Sequence, residues 1–482
     1  MRPNPPIRYP YAESFRCIGS ACEDTCCQGW SVPIDRAAYE KYHSLPVSAL
    51  RTLILQHIDT DAAQTPLRTE GNNGAGSTPA DVFAKIRMND ANECPMLSKD
   101  RLCRIQAELG EGLLSHACAT YPRIVLAAGG DEERALTLSC PEAARLVLLT
   151  PNLLGRSSSI SPGLAGVEES AAEVGEGGAG ALPPHFWRVR ESVLALLKNR
   201  AYPLWQRLFL LGILCRRLDS IGKGELNRGI PEFLRDFDAT VATGALRAAM
   251  ETLPVDRAAQ LDVVLRLAGM LLHRSNVRPR FVECVQAFTV GIGNGPGATL
   301  ESLAAQYSLA HDRFYEPFFR RHPHILENYL INTVIRGQFP FGRDGMQAGA
   351  PPPMECEFAL LTAQFALMKG LLIGVAGFHG ERFAAEHVVH TVQAAAKHFE
   401  HHPEFLKLAH GLLVESGMDG ARGLAILLRN AGTGEVSSGP KPASQEKDAP
   451  GRPDGRSVLA QGSSQRRGPG SVRGLAGTAL PE

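Results

Sequence analysis

The sequence lacks an excess of charge of either sign. It contains 50 Lys plus Arg and 50 Asp plus Glu among 482 residues, so its formal net charge is zero. Proteins that bind nucleic acid or anionic membranes ordinarily carry a basic surplus. The balance therefore predicts a protein with no nucleic-acid partner and no membrane partner. The length is enough for two or three domains with sizeable cores.

The start of the chain lacks the apolar segment that a secretory signal needs. It reads M-R-P-N-P-P-I-R-Y-P-Y, without a run of apolar residues. We therefore expect a cytoplasmic protein. Thiols stay reduced in the cytosol, so clustered cysteines there are expected to bind a metal or an inorganic cluster rather than to form disulfides.

Aromatic residues are missing from two long stretches, which divide the chain. Residues 151–184 are crowded with Ser, Gly, Ala and Glu, and residues 431–482 are rich in Gly, Ser, Pro and charge. Such segments cannot bury enough apolar surface to fold. We predict a cysteine-rich cluster-binding domain over residues 1–150, a flexible linker over 151–184, an α-helical domain over 185–430, and a disordered tail over 431–482.

Cysteine is scarce over most of the chain, because only three cysteines follow residue 140. They are Cys215, Cys284 and Cys356. The other eight lie in two sets within the first 140 residues: Cys17, Cys22, Cys26, Cys27, Cys94, Cys103, Cys118 and Cys140. This asymmetry predicts that the N-terminal part carries the metal-binding chemistry.

The spacing of the eight cysteines leaves two kinds of centre open. Two structural zinc sites of four thiolates each would use all eight, but the intervals do not follow the usual zinc-finger spacing. An iron–sulfur cluster accepts irregular spacing, because its ligands approach from different directions. Cys26 and Cys27 are adjacent, so their side chains can serve different corners or different centres.

Alternating strand patterns are also rare, and helical periodicity dominates. Val82 to Met88 predicts a short strand, and Arg123 to Ala128 with Arg134 to Ser139 predicts a β-hairpin. Asp35 is expected to cap a helix, and Arg101 to Glu111 is expected to form another. Apolar residues at helical spacing predict further helices over 186–198, 204–218, 258–272, 277–288, 300–307, 325–335, 387–399, 405–413 and 421–428.

One stretch, Phe358 to Phe378, is long and apolar enough to resemble a membrane span. Gln364 and Lys369 lie in its middle, where a charge facing lipid would cost roughly 2.5–3.5 kcal/mol or more. We therefore predict a buried core helix. The glycine-rich segment from Val290 to Gly297 is predicted to be a loop between helices, since no strand precedes it. The predicted fold class is mainly α, with an N-terminal cysteine-rich metal or cluster module containing a short β-hairpin, followed by an α-helical domain.

Four blocks of the sequence, in this order, resemble one known family. They are F-R-C-I-G-S-A-C-E-D-T-C-C-Q-G-W-S-V-P-I-D, C-P-M-L-S-K-D-R-L-C-R-I-Q-A-E-L-G-E-G-L-L-S-H-A-C-A-T-Y-P-R, L-S-C-P-E-A-A-R-L-V-L and, at residues 327–342, E-N-Y-L-I-N-T-V-I-R-G-Q-F-P-F-G. The chain resembles the flagellin lysine-N-methylases over most of residues 10–150, and less continuously to about residue 430. Four long blocks in one order make the resemblance specific.

The resemblance implies a protein-lysine N-methyltransferase that acts on flagellin. S-adenosylmethionine would be the methyl donor, and a cysteine-bound 4Fe–4S cluster would accompany it, with zinc as the alternative metal. The eight N-terminal cysteines are the metal-ligand candidates, twice the number that one cluster needs. Glu23, Asp24 and Tyr121 are candidate proton acceptors, although Glu23 and Asp24 are expected to be solvated loop carboxylates. The main competing hypothesis is a non-catalytic zinc- or iron-binding protein whose cysteine module is structural, and a third is an electron-transfer or redox-sensing protein.

Overall fold

The computed structural model describes residues 9–28, 32–60, 82–128, 131–155, 183, 185–222, 225–273, 277–342, 352–400 and 404–429. Most of the predicted linker (151–184) and the whole of the predicted tail (431–482) lie outside these ranges, so both predictions stay untested. Within the described residues the protein is mainly helical, as the sequence predicts.

The N-terminal part of the chain consists of short elements joined by loops. Its helices are α1 (Pro10–Ser14), α2 (Arg36–Ser44), α3 (Ala49–Gln56), α4 (His116–Thr120) and α5 (Pro141–Leu149). Its strands are β1 (Val32–Ile34), β2 (Ile58–Asp59), β3 (Ala84–Ile86), β4 (Arg123–Ala128) and β5 (Asp131–Leu136). Strand β3 lies between β1 and β2, antiparallel to both. Strands β4 and β5 form the predicted hairpin, but β5 begins at Asp131 and ends at Leu136, three residues earlier than predicted, because pairing continues to the turn after Ala128.

The rest of the described chain is a body of longer helices. They are α6 (Phe186–Lys198), α7 (Leu204–Asp219), α8 (Leu226–Thr243), α9 (Arg247–Glu251), α10 (Arg257–Leu272), α11 (Pro279–Gly291), α12 (Leu300–Ala310), α13 (Glu316–Arg321), α14 (His324–Arg336), α15 (Met354–His379), α16 (Ala385–Phe399), α17 (Phe405–Glu415) and α18 (Ala421–Leu428). All nine helices that the periodicity predicts after residue 185 are present, with ends shifted by three residues at most. The glycine-rich segment connects α11 to α12 as predicted.

Helix α15 is the centre of this body. It is long and apolar enough to cross a membrane by length and composition, but 94% of its most apolar window is buried against other helices of the protein. Lys369 is buried in its middle, where Nζ donates hydrogen bonds to the carbonyl oxygens of Leu427 and Leu428 at 2.8 and 3.2 Å. These carbonyls end α18, and a cation is favoured at a helix C-terminus. The prediction of a buried core helix is therefore confirmed.

Glycines allow α11 and α15 to approach each other closely. A methyl group on Gly374 of α15 would lie 2.4 Å from the Phe288 ring of α11 and 2.7 Å from the Phe288 carbonyl oxygen. A methyl group on Gly291 would lie 1.8 Å from the Gly374 carbonyl oxygen. The two backbones are therefore in contact, and any side chain at these positions would separate the helices.

The predicted helix over Arg101 to Glu111 is mostly wrong. Arg101 has a positive φ of 62°, and Leu97 pairs with Cys103 through an isolated antiparallel bridge. Only Ile105–Leu109 is helical, as a single π-helical turn. The apolar residues do have helical spacing. However, the chain reverses direction at Arg101, and Cys103 pairs with the loop that follows Cys94.

Helix α8 was not predicted, although its sequence contains the signal. Ile230, Leu234, Phe237 and Val241 are buried at helical spacing. Pro231 lies inside the helix and Gly229 two positions earlier, and both residues disfavour helix interiors. Burial of the apolar face outweighs the cost of these two residues.

Candidate functional site: the cysteine loops and the adjoining cavity

Backbone hydrogen bonds hold the two sets of cysteines together. The N–H of Cys94 donates to the carbonyl oxygen of Cys27 at 2.7 Å. Gln28 pairs with Glu93 through a bridge, and Leu97 pairs with Cys103 through another. The loop of the first set is therefore clamped on the loop of the second, more than sixty residues further along the chain.

Side-chain capping fixes the next cysteine in the same place. As predicted, Asp35 caps α2, accepting a hydrogen bond from Ala38 N at 2.8 Å. Its other carboxylate oxygen accepts from His116 N at 2.9 Å, which ties the start of α4 to α2. Ser115 caps α4 and accepts from the N–H of Cys118. Asp35 therefore positions the Cys118 helix as well as its own.

Three thiols are in direct contact. Cys27 makes side-chain hydrogen bonds with both Cys103 and Cys26. These contacts raise the pKa of Cys27, the donor, and lower the pKa of Cys103 to about 6. A low pKa favours the thiolate, which is the form that binds metals.

Four further cysteines lie within electrostatic range of this trio. Burial raises the pKa of Cys94 to about 11 and of Cys118 to about 12, and the neighbouring Cys103 and Cys26 act in the same direction on both. Burial raises the pKa of Cys140 and of Cys22. Cys22 and Cys26 raise that of Cys140 further, and Cys26 raises that of Cys22. Only Cys17 of the predicted set has no such link to the others. It is exposed and accepts a hydrogen bond from the N–H of Gly19 at 3.4 Å.

The donor set fits an iron–sulfur or zinc centre by its chemistry, since soft thiolates are the ligands that both prefer. Among the residues that the structure describes, no group of three or more Cys, His, Asp or Glu side chains is arranged as a metal site. Neighbouring thiols of the two sets contact or influence one another, but they are not arranged as a metal site, and metal binding by them stays a prediction.

Asp24 joins the cysteine loop to the helical body. Its Oδ2 accepts hydrogen bonds from Lys397 Nζ at 2.7 Å and from Gln393 Nε2 at 2.8 Å, both on α16. Burial alone would raise the pKa of Asp24, but Lys397 and the hydrogen bonds outweigh it and lower the pKa. The expectation that Asp24 is solvated is wrong, because only 12% of its side chain is exposed. Glu23 is exposed, as expected, and pairs with Arg145 at 2.8 Å.

A cavity of about 360 Å³ adjoins this junction. Its wall is formed by the loop around Asp24, the loop that carries Glu93 and Leu97, the start of α11 and one face of α16. Basic, acidic and apolar residues all line it: Glu23, Asp24, Glu93, Arg101, Arg278, Arg280, Lys397, Leu97, Phe281 and Ala394. Sequence analysis did not identify Glu93, Arg278 or Lys397, because they belong to three separate segments with no motif in common.

The sequence block at residues 327–342 has a structural role. The Asn328 side chain donates to the carbonyl oxygens of Val147 and Thr150 at 2.9 and 2.7 Å. Asn332 accepts from Tyr11 Oη at 2.9 Å and donates to the Leu136 carbonyl oxygen at 2.8 Å. Helix α14 thus holds the hairpin, α1 and α5 against the body, which keeps the cysteine loops facing α16.

Fold and site together define a mainly helical protein whose N-terminal loops bring thiols beside a charged cavity. Comparison with known proteins gives the family. The FliB lysine N-methylase C-terminal domain family matches residues 190–427. The flagellar biosynthetic protein FliU of Salmonella muenchen is 32% identical over 154 residues, which are 31% of this chain and 82% of that protein. The chain therefore belongs to the FliB lysine N-methylase family.

Two relatives named lysine-N-methylase, from Salmonella choleraesuis and Salmonella typhimurium, are each 32% identical over 148 residues. The match covers 30% of this chain and 33% of each relative. No solved structure matches the chain.

Proposed function

We propose that the protein N-methylates lysine side chains of flagellin in the cytoplasm. S-adenosylmethionine would be the donor, and the N-terminal cysteines would hold a 4Fe–4S cluster. Family membership supports the methyl transfer, and the name of the FliU relative supports a flagellar substrate. The observation that carries the proposal is the proximity of seven thiols from separate loops, one of which, Cys26, is influenced by Lys397 of the cavity wall.

The reaction joins a lysine nitrogen to the methyl carbon of the donor. A free lysine has a pKa of about 10.4, so its ammonium must first lose a proton. The nitrogen lone pair then attacks the methyl carbon, and the S–CH₃ bond breaks with its electron pair left on sulfur. S-adenosylhomocysteine and a methylated amine are the products, and the proton passes to a carboxylate or to water.

The cavity supplies the surroundings that this chemistry requires. Leu97, Phe281 and Ala394 give it a partly apolar wall, which disfavours a charged ammonium and lowers its pKa. Asp24 accepts protons poorly, since its own pKa is lowered and Lys397 holds it. Burial raises the pKa of Tyr121, so its hydroxyl stays protonated. Glu23 and Glu93 are the acceptors that this geometry offers.

Cys26, Cys27, Cys94, Cys103 and Cys118 are the five residues from which the four ligands of the cluster would come. When bound, an iron–sulfur cluster supplies thiolate-ligated iron whose electronic properties depend on burial and on hydrogen bonds to sulfur. Lys397 is next to this set, and its charge contributes to lowering the pKa of Cys26, after the hydrogen bond from Cys27. It would therefore help to keep the ligand thiols ionised.

A second function is favoured by one observation. Cys94 is buried in the small N-terminal core, with Cys27, Cys103 and Cys118 packed against it. Thiols in this position can bind a metal whose only role is to stabilise the fold. The second candidate is therefore a non-catalytic zinc- or iron-binding protein.

Anaerobic purification followed by metal, sulfide and flagellin-mass measurements separates the two candidates. For the methylase we expect brown protein with about four iron and four sulfide per chain. Incubation with purified flagellin and S-adenosylmethionine should then raise the flagellin mass in steps of one methyl group. Colourless protein with stoichiometric zinc and unchanged flagellin would favour the structural role. Cluster-loaded protein that leaves flagellin unchanged would contradict methyl transfer.

A further inference from the structure

The cavity beside Asp24 contains a cationic donor with no acceptor. Arg278 precedes α11, and its backbone N–H donates to His398 Nε2 at 3.2 Å, which fixes the residue against α16. Its guanidinium nitrogen Nη2 is buried and has no hydrogen-bond partner among the residues that the structure describes. A buried charged donor that lacks an acceptor is costly and rare in folded proteins, so such a group calls for an explanation.

The nearest acids do not satisfy Arg278. Asp24 and Glu93 act on it only through space, and burial remains the largest influence on its pKa, which it lowers. The Asp24 carboxylate is already occupied, with Oδ2 bound to Lys397 and Gln393 and Oδ1 bound to Thr25 N at 2.7 Å. Arg278 is also one of the residues that line the cavity, so an anion bound there would lie next to its guanidinium group.

The other residues of the cavity limit the chemistry of that anion. Glu93 also lines the cavity, and a carboxylate near a bound anion suits a ligand that carries a positive group as well. Phe281, Leu97 and Ala394 add apolar surface for an uncharged portion. A volume of about 360 Å³ lies at the small end of the range for ligand sites. These features describe a zwitterion attached to an apolar group.

We propose that this cavity binds the amino-acid end of the sulfonium donor, with Arg278 Nη2 donating to its α-carboxylate. The α-ammonium then lies toward Glu93, which leaves Glu23 as the acceptor for the lysine proton, and the sulfur lies against the apolar wall. Arg278 is a binding residue for the donor in this arrangement. The inference rests on the proposed function for the identity of the ligand, whereas the unmatched donor and the cavity are properties of this chain alone.

Binding of S-adenosylhomocysteine tests the inference without requiring turnover. Calorimetry on the full-length protein would compare the wild type with Arg278→Gln. Removing a charged hydrogen bond should weaken binding about 10- to 100-fold. The matched control is Arg228→Gln, since Arg228 is 89% exposed on α8 and lies outside the cavity. The control should bind like the wild type.

A second ligand separates loss of the carboxylate contact from damage to the fold. 5′-Methylthioadenosine has the same nucleoside and thioether but no amino-acid end, so it should bind wild type and Arg278→Gln equally. Equal weakening of both ligands would overturn the inference, because Arg278 would then support the fold rather than the carboxylate. Unchanged binding of S-adenosylhomocysteine would also overturn it.

The outcomes distinguish the inference from the proposed function. Wild type that binds the donor product through Arg278 but never methylates flagellin would support the inference and contradict the function. If the wild type and Arg278→Gln both methylated flagellin with the same KM for the donor, the inference would be overturned and the proposed function would stand. A wild type that binds neither ligand and leaves flagellin unchanged would overturn both.

Discussion

The cysteine-bearing region and the helical body are stabilised by different means. The body has helices of up to 26 residues around an extensive apolar core that centres on α15. The cysteine loops have elements of two to nine residues around a small second core that includes Ile34, Tyr42 and Ile54. Small cores rarely stabilise a fold unaided. The region with the least apolar support therefore carries the thiols, and a metal bound by them would add to its stability.

Among the substitutions that test this difference between the two regions, replacement of a central thiol should have the largest effect. Cys103→Ser removes a sulfur that contacts Cys27, and we expect loss of bound iron and sulfide, since oxygen is a poor substitute for thiolate. Methyl transfer should fall by at least about 10- to 100-fold. Metal analysis and flagellin mass measure both effects.

The control for this change is Cys356→Ser, at the start of α15. Cys356 is one of the three cysteines outside the N-terminal set, and it should retain metal content and activity. Equal metal loss in both variants would contradict a special role for the N-terminal thiols.

Breaking the ion pair that joins the two regions should have the next largest effect. Glu133 of β5 and Arg190 of α6 are 3.1 Å apart, with side chains 0% and 1% exposed. Tyr9 also donates to Glu133, at 2.9 Å. Glu133→Ala leaves a buried guanidinium without its counter-charge, which costs about 3–5 kcal/mol in free energy of unfolding. Urea denaturation measures this loss in the free energy of unfolding.

The exposed pair on α8 provides the matched comparison. Arg228 and Glu232 are 3.0 Å apart, with side chains 89% and 51% exposed. Glu232→Ala should therefore change the free energy of unfolding by about 0.5 kcal/mol or less. If Glu133→Ala and Glu232→Ala lowered the free energy of unfolding by similar amounts, burial would not determine how strongly these ion pairs stabilise the protein.

A third prediction concerns close packing inside the helical body. Gly374→Ala forces a methyl group against Phe288, and we expect α11 and α15 to separate at a cost of about 1–3 kcal/mol. Gly269→Ala on α10 is the control, because nothing lies within 4 Å of the added methyl group. That change should stabilise the protein by up to about 1 kcal/mol through helix propensity. Thermal unfolding of both variants checks the opposite signs.

The smallest predicted effect is the pH dependence of the Asp35 cap. Burial alone would raise the pKa of Asp35, but hydrogen bonds from the N–H groups of His116 and Ala38 outweigh it and lower the pKa. The folded pKa then lies below the unfolded value of about 3.9, so the charge-dependent stabilisation is complete above that value. It is lost as the pH falls through the folded pKa.

Asp35→Ala should therefore cost about 1–2 kcal/mol near pH 7, and less near pH 2. Asp35→Asn keeps the acceptor for Ala38 N but loses the charge and the second acceptor oxygen, so its difference from the wild type should become smaller in acid. Urea denaturation at the two pH values measures both differences. A difference from the wild type that is independent of pH would contradict the lowered pKa.

Local patterns predicted the parts of the fold that depend on neighbours in sequence. The helix that starts at Phe186, the cap at Asp35 and the hairpin that leads to Cys140 each follow from spacing or side-chain type. The failures depend on distant contacts. Arg101 turns the chain back because Cys103 pairs with Leu97, and α8 forms despite Pro231 because its apolar face is buried.

The residues of the candidate site also fall into two groups, those that the sequence indicated and those that only the fold shows. The eight cysteines were visible in the sequence because their clustering is a matter of composition. Arg278 and Lys397 were not, since an arginine before a proline and a lysine near a helix end are ordinary on a surface. Only the fold shows that Lys397 is buried against Asp24 and that Arg278 has a buried nitrogen without an acceptor among the described residues.

The sequence by itself determined the helical periodicity, the positions of the thiols and the family to which the chain belongs. The tertiary structure decided which thiols meet, which carboxylate is held ionised and where a cavity opens beside them. Periodicity and composition act over a few residues, whereas the contacts between the Cys27 loop, the Cys94 loop and α16 join segments that are 63 to 373 residues apart in the chain.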